Sequence, residues 1–208
     1  MNAVIEGALP PLHGLVLSGG ASRRMGRDKA GLEYHGQPQV RWAYALVTRH
    51  CERTFVSLRP DQQQDPARAG LPRILDAHDD IGPIAGIAAA QAAHPEVAWL
   101  VVACDLPFLT DDALRLLVSR RGRHPVTAFR SAHDGLPEPL CAIYEPATRR
   151  DILAAIERGR HCPRKFLIAA GVPLLELPEP SLLDNVNTPQ DHDTALASLR
   201  ERVPEPDA

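Results

Sequence analysis

Residues 17–29 read Leu-Ser-Gly-Gly-Ala-Ser-Arg-Arg-Met-Gly-Arg-Asp-Lys, a glycine-rich and strongly basic stretch directly after an apolar run, Leu12 to Leu17. Glycines at Gly19 and Gly20 let backbone N–H groups approach an anion closely, and Arg23, Arg24 and Lys29 can neutralise its charge. A loop of this kind wants phosphates. It lacks the GK[ST] ending of a Walker A loop and the GxGxxG spacing of a dinucleotide fold, which disfavours P-loop hydrolases and dehydrogenases. A plain Gly-Gly turn with solvated charges would explain neither the length nor the basic load. Lysine is rare in this chain, only Lys29 and Lys165 among 23 basic residues, so each lysine calls for a reason. A compact ammonium on a flexible stem suits a triphosphate.

Four further segments carry chemistry-bearing residues. Cys104-Asp105-Leu106-Pro107 ends a second apolar run, Trp99 to Ala103, where a carboxylate faces the cleft of an open α/β sheet and can hold Mg²⁺, a hard cation that takes oxygen ligands. The competing reading is an ordinary loop start. Residues 76–86, Asp-Ala-His-Asp-Asp-Ile-Gly-Pro-Ile-Ala-Gly, place Asp76, Asp79 and Asp80 before a helix start, which is also what a solvated acidic turn looks like. Residues 184–189, Asp-Asn-Val-Asn-Thr-Pro, offer the neutral amide oxygens of Asn185 and Asn187, or simply Asx turns and a helix cap. Pro137-Glu-Pro-Leu140 and the basic Arg160-His-Cys-Pro-Arg-Lys165 remain; the latter reads either as a receiver for an acceptor phosphate or as a solvated turn.

The loop matches L-x-G-G-x-x-x-R-M-G-x-D-K and so resembles the MobA-like nucleotidyltransferases, with Ser18 in place of the commoner alanine. The G-P-I-A-G at 82–86, D-L-P at 105–107 and N-V-N-T-P at 185–189 follow in the family's order over almost the whole chain. The resemblance implies transfer of GMP from GTP to the molybdopterin cofactor, with release of pyrophosphate. It implies Lys29, Arg24 and Asp105 as catalytic, and Leu17, Ser18, Gly19, Gly20, Lys29, Asp76 and Asp105 as nucleotide-binding. Mg²⁺ would sit on Asp105 and Asn187. Asp76 would read guanine, with Asp79 and Asp80 as alternatives, since a carboxylate accepts from the guanine N1–H and 2-amino group. Ser57 stands where the family often has asparagine, which leaves the base open. Cytidylyl transfer to the pterin, transfer to a sugar phosphate, and a silent nucleotide-binding adaptor are the rival functions. GTP, molybdopterin, and molybdoenzyme chaperones or other cofactor-biosynthesis proteins are the implied partners.

Along the chain β-branched runs alternate with alanine- and leucine-rich stretches, the α/β pattern. A three-layer, Rossmann-like nucleotidyltransferase fold with a mostly parallel sheet is expected. Strands are read at 12–17, 54–58, 74–75, 99–103, 126–129, 140–144 and 172–177, and helices at 40–47, 84–93, after the Thr110 cap, at 147–158 and from Thr188 to about Arg202. Residues 59–73 read as a polar surface loop. With 208 residues and 44% hydrophobic content, one domain over 1–202 with a disordered tail at 203–208 is expected. A net charge of −3 gives no footprint for nucleic acid, and no apolar run is long enough for a membrane span. The four dispersed cysteines suggest neither zinc nor disulfides, and the chain reads as cytoplasmic.

Overall fold

The computed structural model describes residues 8–20, 28–76, 81–122 and 124–202. In chain order they form β1 (Leu12–Leu17), α1 (Gln39–Thr48), β2 (Arg53–Leu58), β3 (Arg73–Leu75), α2 (Ile84–Ala93), β4 (Ala98–Ala103), α3 (Asp111–Ser119), β5 (Val126–Arg130), β6 (Pro137–Tyr144), α4 (Arg149–Glu157), α5 (Pro163–Ala170), β7 (Leu174–Leu175) and α6 (Pro189–Arg202). Seven strands make one sheet in the order β3-β2-β1-β4-β6-β5-β7. The first four run parallel, β6 is antiparallel to both β4 and β5, and β7 returns parallel to β5. The fold is therefore mixed α/β with a mostly parallel sheet, and α1 and α2 serve as crossovers for the parallel half.

Alternate side chains along each strand feed two cores. Val16, Leu100 and Val102 pack with α1 and α3 through Val47, Leu114 and Leu117. Leu15, Trp99 and Val101 pack with α2, α4 and α5 through Ile87, Ile152 and Leu167. β4 is buried at every residue, as an apolar run covered on both faces must be. A third, small cluster joins Leu32 and Tyr34 to Val186 and to Ala195 of α6, and so fastens the C-terminal helix beside the segment that follows Lys29.

Several sequence expectations shift, and α5 adds a helix to those expected. Residues 147–158 split into a 3-10 turn, Pro146–Thr148, and α4, because Thr148 closes onto Glu145 rather than continuing the α pattern. β6 starts earlier, at Pro137, a tolerated first-strand position for a residue without an N–H. The last strand shrinks from 172–177 to two residues. The described cysteines, Cys51, Cys104, Cys141 and Cys162, are all free thiols. No described helix is long and apolar enough to cross a membrane.

Candidate nucleotide site

The carboxyl ends of β1, β2, β3 and β4 are stitched together residue by residue. Cys104 N–H donates to Leu17 O at 3.0 Å, Ser18 N–H to Ser57 O at 3.0 Å, and Asp76 N–H to Leu58 O at 3.1 Å. Ser18, Ser57, Asp76 and Asp105 consequently share one rim of the sheet, where open α/β sheets bind ligands.

Lys29 lies at the centre. Its Nζ is 2.9 Å from Asp105 Oδ2 and 2.5 Å from Asn187 Oδ1. The Lys29 and Asp105 side chains are only 17% and 19% exposed, so Lys29 is not a solvated loop lysine as its motif alone would allow. Asp28 sets its approach: the Asp28 carboxylate accepts from Ala30 N–H at 3.0 Å and caps the 3-10 turn Lys29–Gly31. Asn187 is held from the other side. Val186 N–H donates to Asp105 O at 3.2 Å, and Asp191 of α6 accepts from Asn187 N–H and Thr188 N–H at 3.0 and 2.9 Å. Thr188 Oγ1 in turn accepts from Asp191 N–H, completing the reciprocal cap the sequence pattern suggests. These N–H and hydroxyl contacts hold the Asp191 carboxyl below its ordinary value, against a smaller upward push from burial.

Asp76 forms the second focus. Ser57 Oγ donates to its Oδ1 at 2.5 Å. Two glycines leave room for this pair. A Cβ on Gly19 would fall 2.9 Å from Asp76 Oδ2; one on Gly86 would strike Ser57 Oγ and lie 2.8 Å from Leu17 Cδ2. A side chain at Gly19 would thus have to push the Asp76 carboxylate aside, whereas a Cβ on Gly20 would meet nothing within 4 Å among the described residues. Arg24, with Arg23, Gly26, Asp79 and Asp80, lies outside the described residues.

A cleft of ≈ 590 Å³ opens next to Asp105, lined in part by Pro83, Leu106, Leu140, Arg164 and Asn185. The basic segment 160–165 is divided by it. Arg164 borders this cleft and is paired with Asp134 and Glu138 at 2.9 and 3.0 Å, while Lys165 lines a separate cavity between α4 and α5.

Arg68 is the residue that sequence reasoning missed. In a stretch read as a polar surface loop, its side chain is 2% exposed and bonded to Ser18, Asp28 and Asp65. Only the pairing of remote residues reveals it, and no local signal in 59–73 would have.

Asp105 and Asn187 offer two oxygen atoms that converge on the Lys29 ammonium, the kind of oxygen set that could also hold a hard divalent cation together with phosphates. Among the described residues no group of three or more His, Cys, Asp or Glu gathers as an all-protein metal cage.

Comparison with known proteins agrees with this architecture. The chain is 38% identical over 183 residues to the molybdenum cofactor biosynthesis bifunctional protein of Synechocystis sp., a match covering 88% of this chain and 53% of that protein, so the chain spans about half its length. It is 35% identical over 202 residues to the molybdenum cofactor guanylyltransferase of Pseudomonas aeruginosa, covering 94% and 98%. The crystal structure of molybdopterin-guanine dinucleotide biosynthesis protein A from Archaeoglobus fulgidus superposes with a TM-score of 0.72 at 26% identity, covering 91% and 99%. Residues 14–173 match the MobA-like NTP transferase domain, and the chain belongs to that family of nucleotidyltransferases.

Proposed function

We propose that this nucleotidyltransferase joins GMP from GTP to the molybdopterin cofactor, in the cytoplasm, and that one domain over residues 1–202 carries the reaction. The observation that supports it most is the convergence of Lys29, Asp105 and Asn187 at the sheet rim that also carries the Ser57–Asp76 pair. Relatives named as guanylyltransferases over nearly their full length supply the acceptor and the base.

In this reading GTP lies along the rim with guanine against Asp76 and its phosphates toward Lys29. Asp76, oriented by the Ser57 hydroxyl, accepts from guanine N1–H and the 2-amino group; adenine and cytosine lack that donor pair. Lys29 carries positive charge to the phosphates, and Arg24 is proposed to add to it. Leu17, Ser18, Gly19 and Gly20 form the backbone wall on which the nucleotide rests. The acceptor occupies the cleft beside Asp105, where its terminal phosphate attacks the α-phosphorus in line. One phosphorus–oxygen bond forms to the acceptor as the bond to the β-phosphate breaks, and pyrophosphate leaves. Asp105 and Asn187 would hold Mg²⁺, which when bound neutralises charge building on the phosphate oxygens. Molybdoenzyme chaperones or other cofactor-biosynthesis proteins would take the product.

Competition among GTP, ATP and CTP in the presence of Mg²⁺ tests this. GTP should win by more than about tenfold, as expected for a site whose polar groups go unpaired with the wrong base. Asp76→Asn should erode that margin, because the amide presents a donor where guanine needs an acceptor. A wild-type preference for CTP would overturn guanylyl transfer, and unchanged selectivity in Asp76→Asn would remove Asp76 from base reading.

A further inference from the structure

Arg68 belongs to no motif, yet it is the most fully engaged polar side chain described. A guanidinium has five N–H donors, and all five are used here. Nε donates to Ser18 Oγ at 3.0 Å; one terminal nitrogen donates to Ser18 O at 2.7 Å and Asp28 Oδ1 at 3.1 Å; the other donates to Asp28 Oδ2 at 2.7 Å and to Asp65. Ser18 and Asp28 are the residues from which the glycine-rich loop departs and to which it returns, so a single buried plane ties both ends of the loop together. Asp28 immediately precedes Lys29 and caps its turn, and Ser18 Oγ donates onward to Ser57 O at 3.0 Å, next to the hydroxyl that orients Asp76. We infer that Arg68 is a positioning residue for nucleotide binding: it sets the spacing between the loop entry at Gly19, the Lys29 ammonium and the Asp76 carboxylate. The inference rests on the proposal that this rim binds a nucleotide.

The geometry of the turn that carries Arg68 is built for this. Pro66–Arg68 is a 3-10 turn capped by the Asp65 carboxylate, which accepts from Ala67 N–H at 2.8 Å, and Arg41 of α1 donates to Ala69 O at 2.7 Å just beyond it. The turn is thereby anchored before Arg68 reaches inward. Two carboxylates face one guanidinium, which satisfies a buried cation that would otherwise be costly. Burial alone would raise the Asp28 carboxyl, but bonds from Arg68 and Ala30 bring it below its ordinary value, so it stays ionised. Ser18, a departure from the commoner alanine of this loop signature, gains its reason here: its hydroxyl accepts from Arg68 and donates to the β2 carbonyl at once. Lysine could not replace this arginine, because one ammonium cannot reach Ser18 and both Asp28 oxygens in a plane.

The test is calorimetric binding of GTP with Mg²⁺, and melting temperature, for the full chain and for Arg68→Met, Arg68→Lys and Asp65→Asn. Arg121→Met serves as a control, since Arg121 is a comparably buried arginine, paired with Glu145 at 2.6 Å and absent from the nucleotide rim. A displaced binding group typically costs about tenfold to a hundredfold. Arg68→Met should weaken GTP binding by at least about tenfold, and Arg68→Lys by less. Asp65→Asn, which loosens Arg68 while keeping the shape of the side chain that shares it with Asp28, should weaken it by about threefold. Arg121→Met should lower the melting temperature with binding within about twofold of wild type. Arg68→Lys and Asp65→Asn decide the matter where Arg68→Met does not fold. Wild-type affinity in both would overturn the positioning role alone, as would an equal loss of binding in Arg121→Met. A wild type that binds no nucleotide would overturn this role together with the reading on which it rests.

Discussion

Lys29 brings its ammonium between one carboxylate oxygen and one amide oxygen, and the choice of lysine in an arginine-rich chain follows from that space. A guanidinium is wider and planar, and would have to displace Asp105 or Asn187 to fit. Lys29→Ala should therefore reduce pyrophosphate release by tenfold to about a thousandfold, the usual range for losing a charge contact to reacting phosphate. Lys29→Arg should recover little of it. Retention of more than about a tenth of wild-type turnover by the alanine variant would show that Lys29 is only the structural partner of Asp105. Asp105→Asn separates the two roles of the carboxylate. It keeps the shape and one oxygen for Lys29 but removes the charge that would hold Mg²⁺. GTP should still bind while turnover demands more Mg²⁺, measured as pyrophosphate release across a Mg²⁺ titration; wild-type turnover at low Mg²⁺ would reduce Asp105 to a loop residue.

The elements that carry these residues were legible to different degrees, for physical reasons. β1 and α2 have the bounds their patterns suggest, because an apolar run ending at Gly-Gly and an alanine-rich run after Gly-Pro mark themselves locally. The Thr188–Asp191 cap was legible too, being a contact between residues three apart. Arg68 was not, since its burial depends on Ser18, Asp28 and Asp65, and only tertiary pairing makes a buried arginine tolerable. Nor did the sequence disclose that α6 serves the site, through the small cluster of Leu32, Tyr34, Val186 and Ala195. That arrangement makes the cap a functional device: Asp191 holds the N–H of Asn187, whose side chain meets Lys29. Asp191→Ala should lower the melting temperature modestly, because two backbone N–H groups lose their acceptor. It should also lower turnover more than a stability-matched substitution far out on α6 does. A variant that melts lower but turns over normally would confine Asp191 to capping.

Across the whole molecule the sheet separates the nucleotide rim from a cluster of aromatic rings around a buried histidine. The nucleotide groups follow the carboxyl ends of the strands, whereas His13, near the start of β1, sits at the amino ends among Phe55, His94 and Trp99, with ring centroids 6.0, 5.1 and 5.5 Å away. Its Nδ1 has no hydrogen-bond partner among the described residues. Burial depresses its pKa first, and His94 and Arg53 depress it further, while Glu52 and Glu96 partly offset them. His35 shifts the same way through burial, moderated by the Pro107 carbonyl it contacts at 2.9 Å. The sign follows from linkage: below pH 6.5, the ordinary histidine value, the unfolded chain takes up protons that the folded chain refuses, so stability falls as pH drops. At neutral pH that stability is fully present. Melting temperature should therefore decline on acidification from pH 7 to about pH 5.5, by about 2–4 °C for each kcal/mol lost in a chain of this size. His13→Phe keeps an aromatic ring in the cluster without the titration, and should flatten part of that decline, leaving the share due to His35. Because His13 lies at the amino end of β1, opposite the nucleotide rim, GTP affinity at neutral pH should be the same in this variant and the wild type. An unchanged melting slope would show that His13 does not contribute in this range, and a weakened GTP affinity would show that the two ends of the strands are coupled.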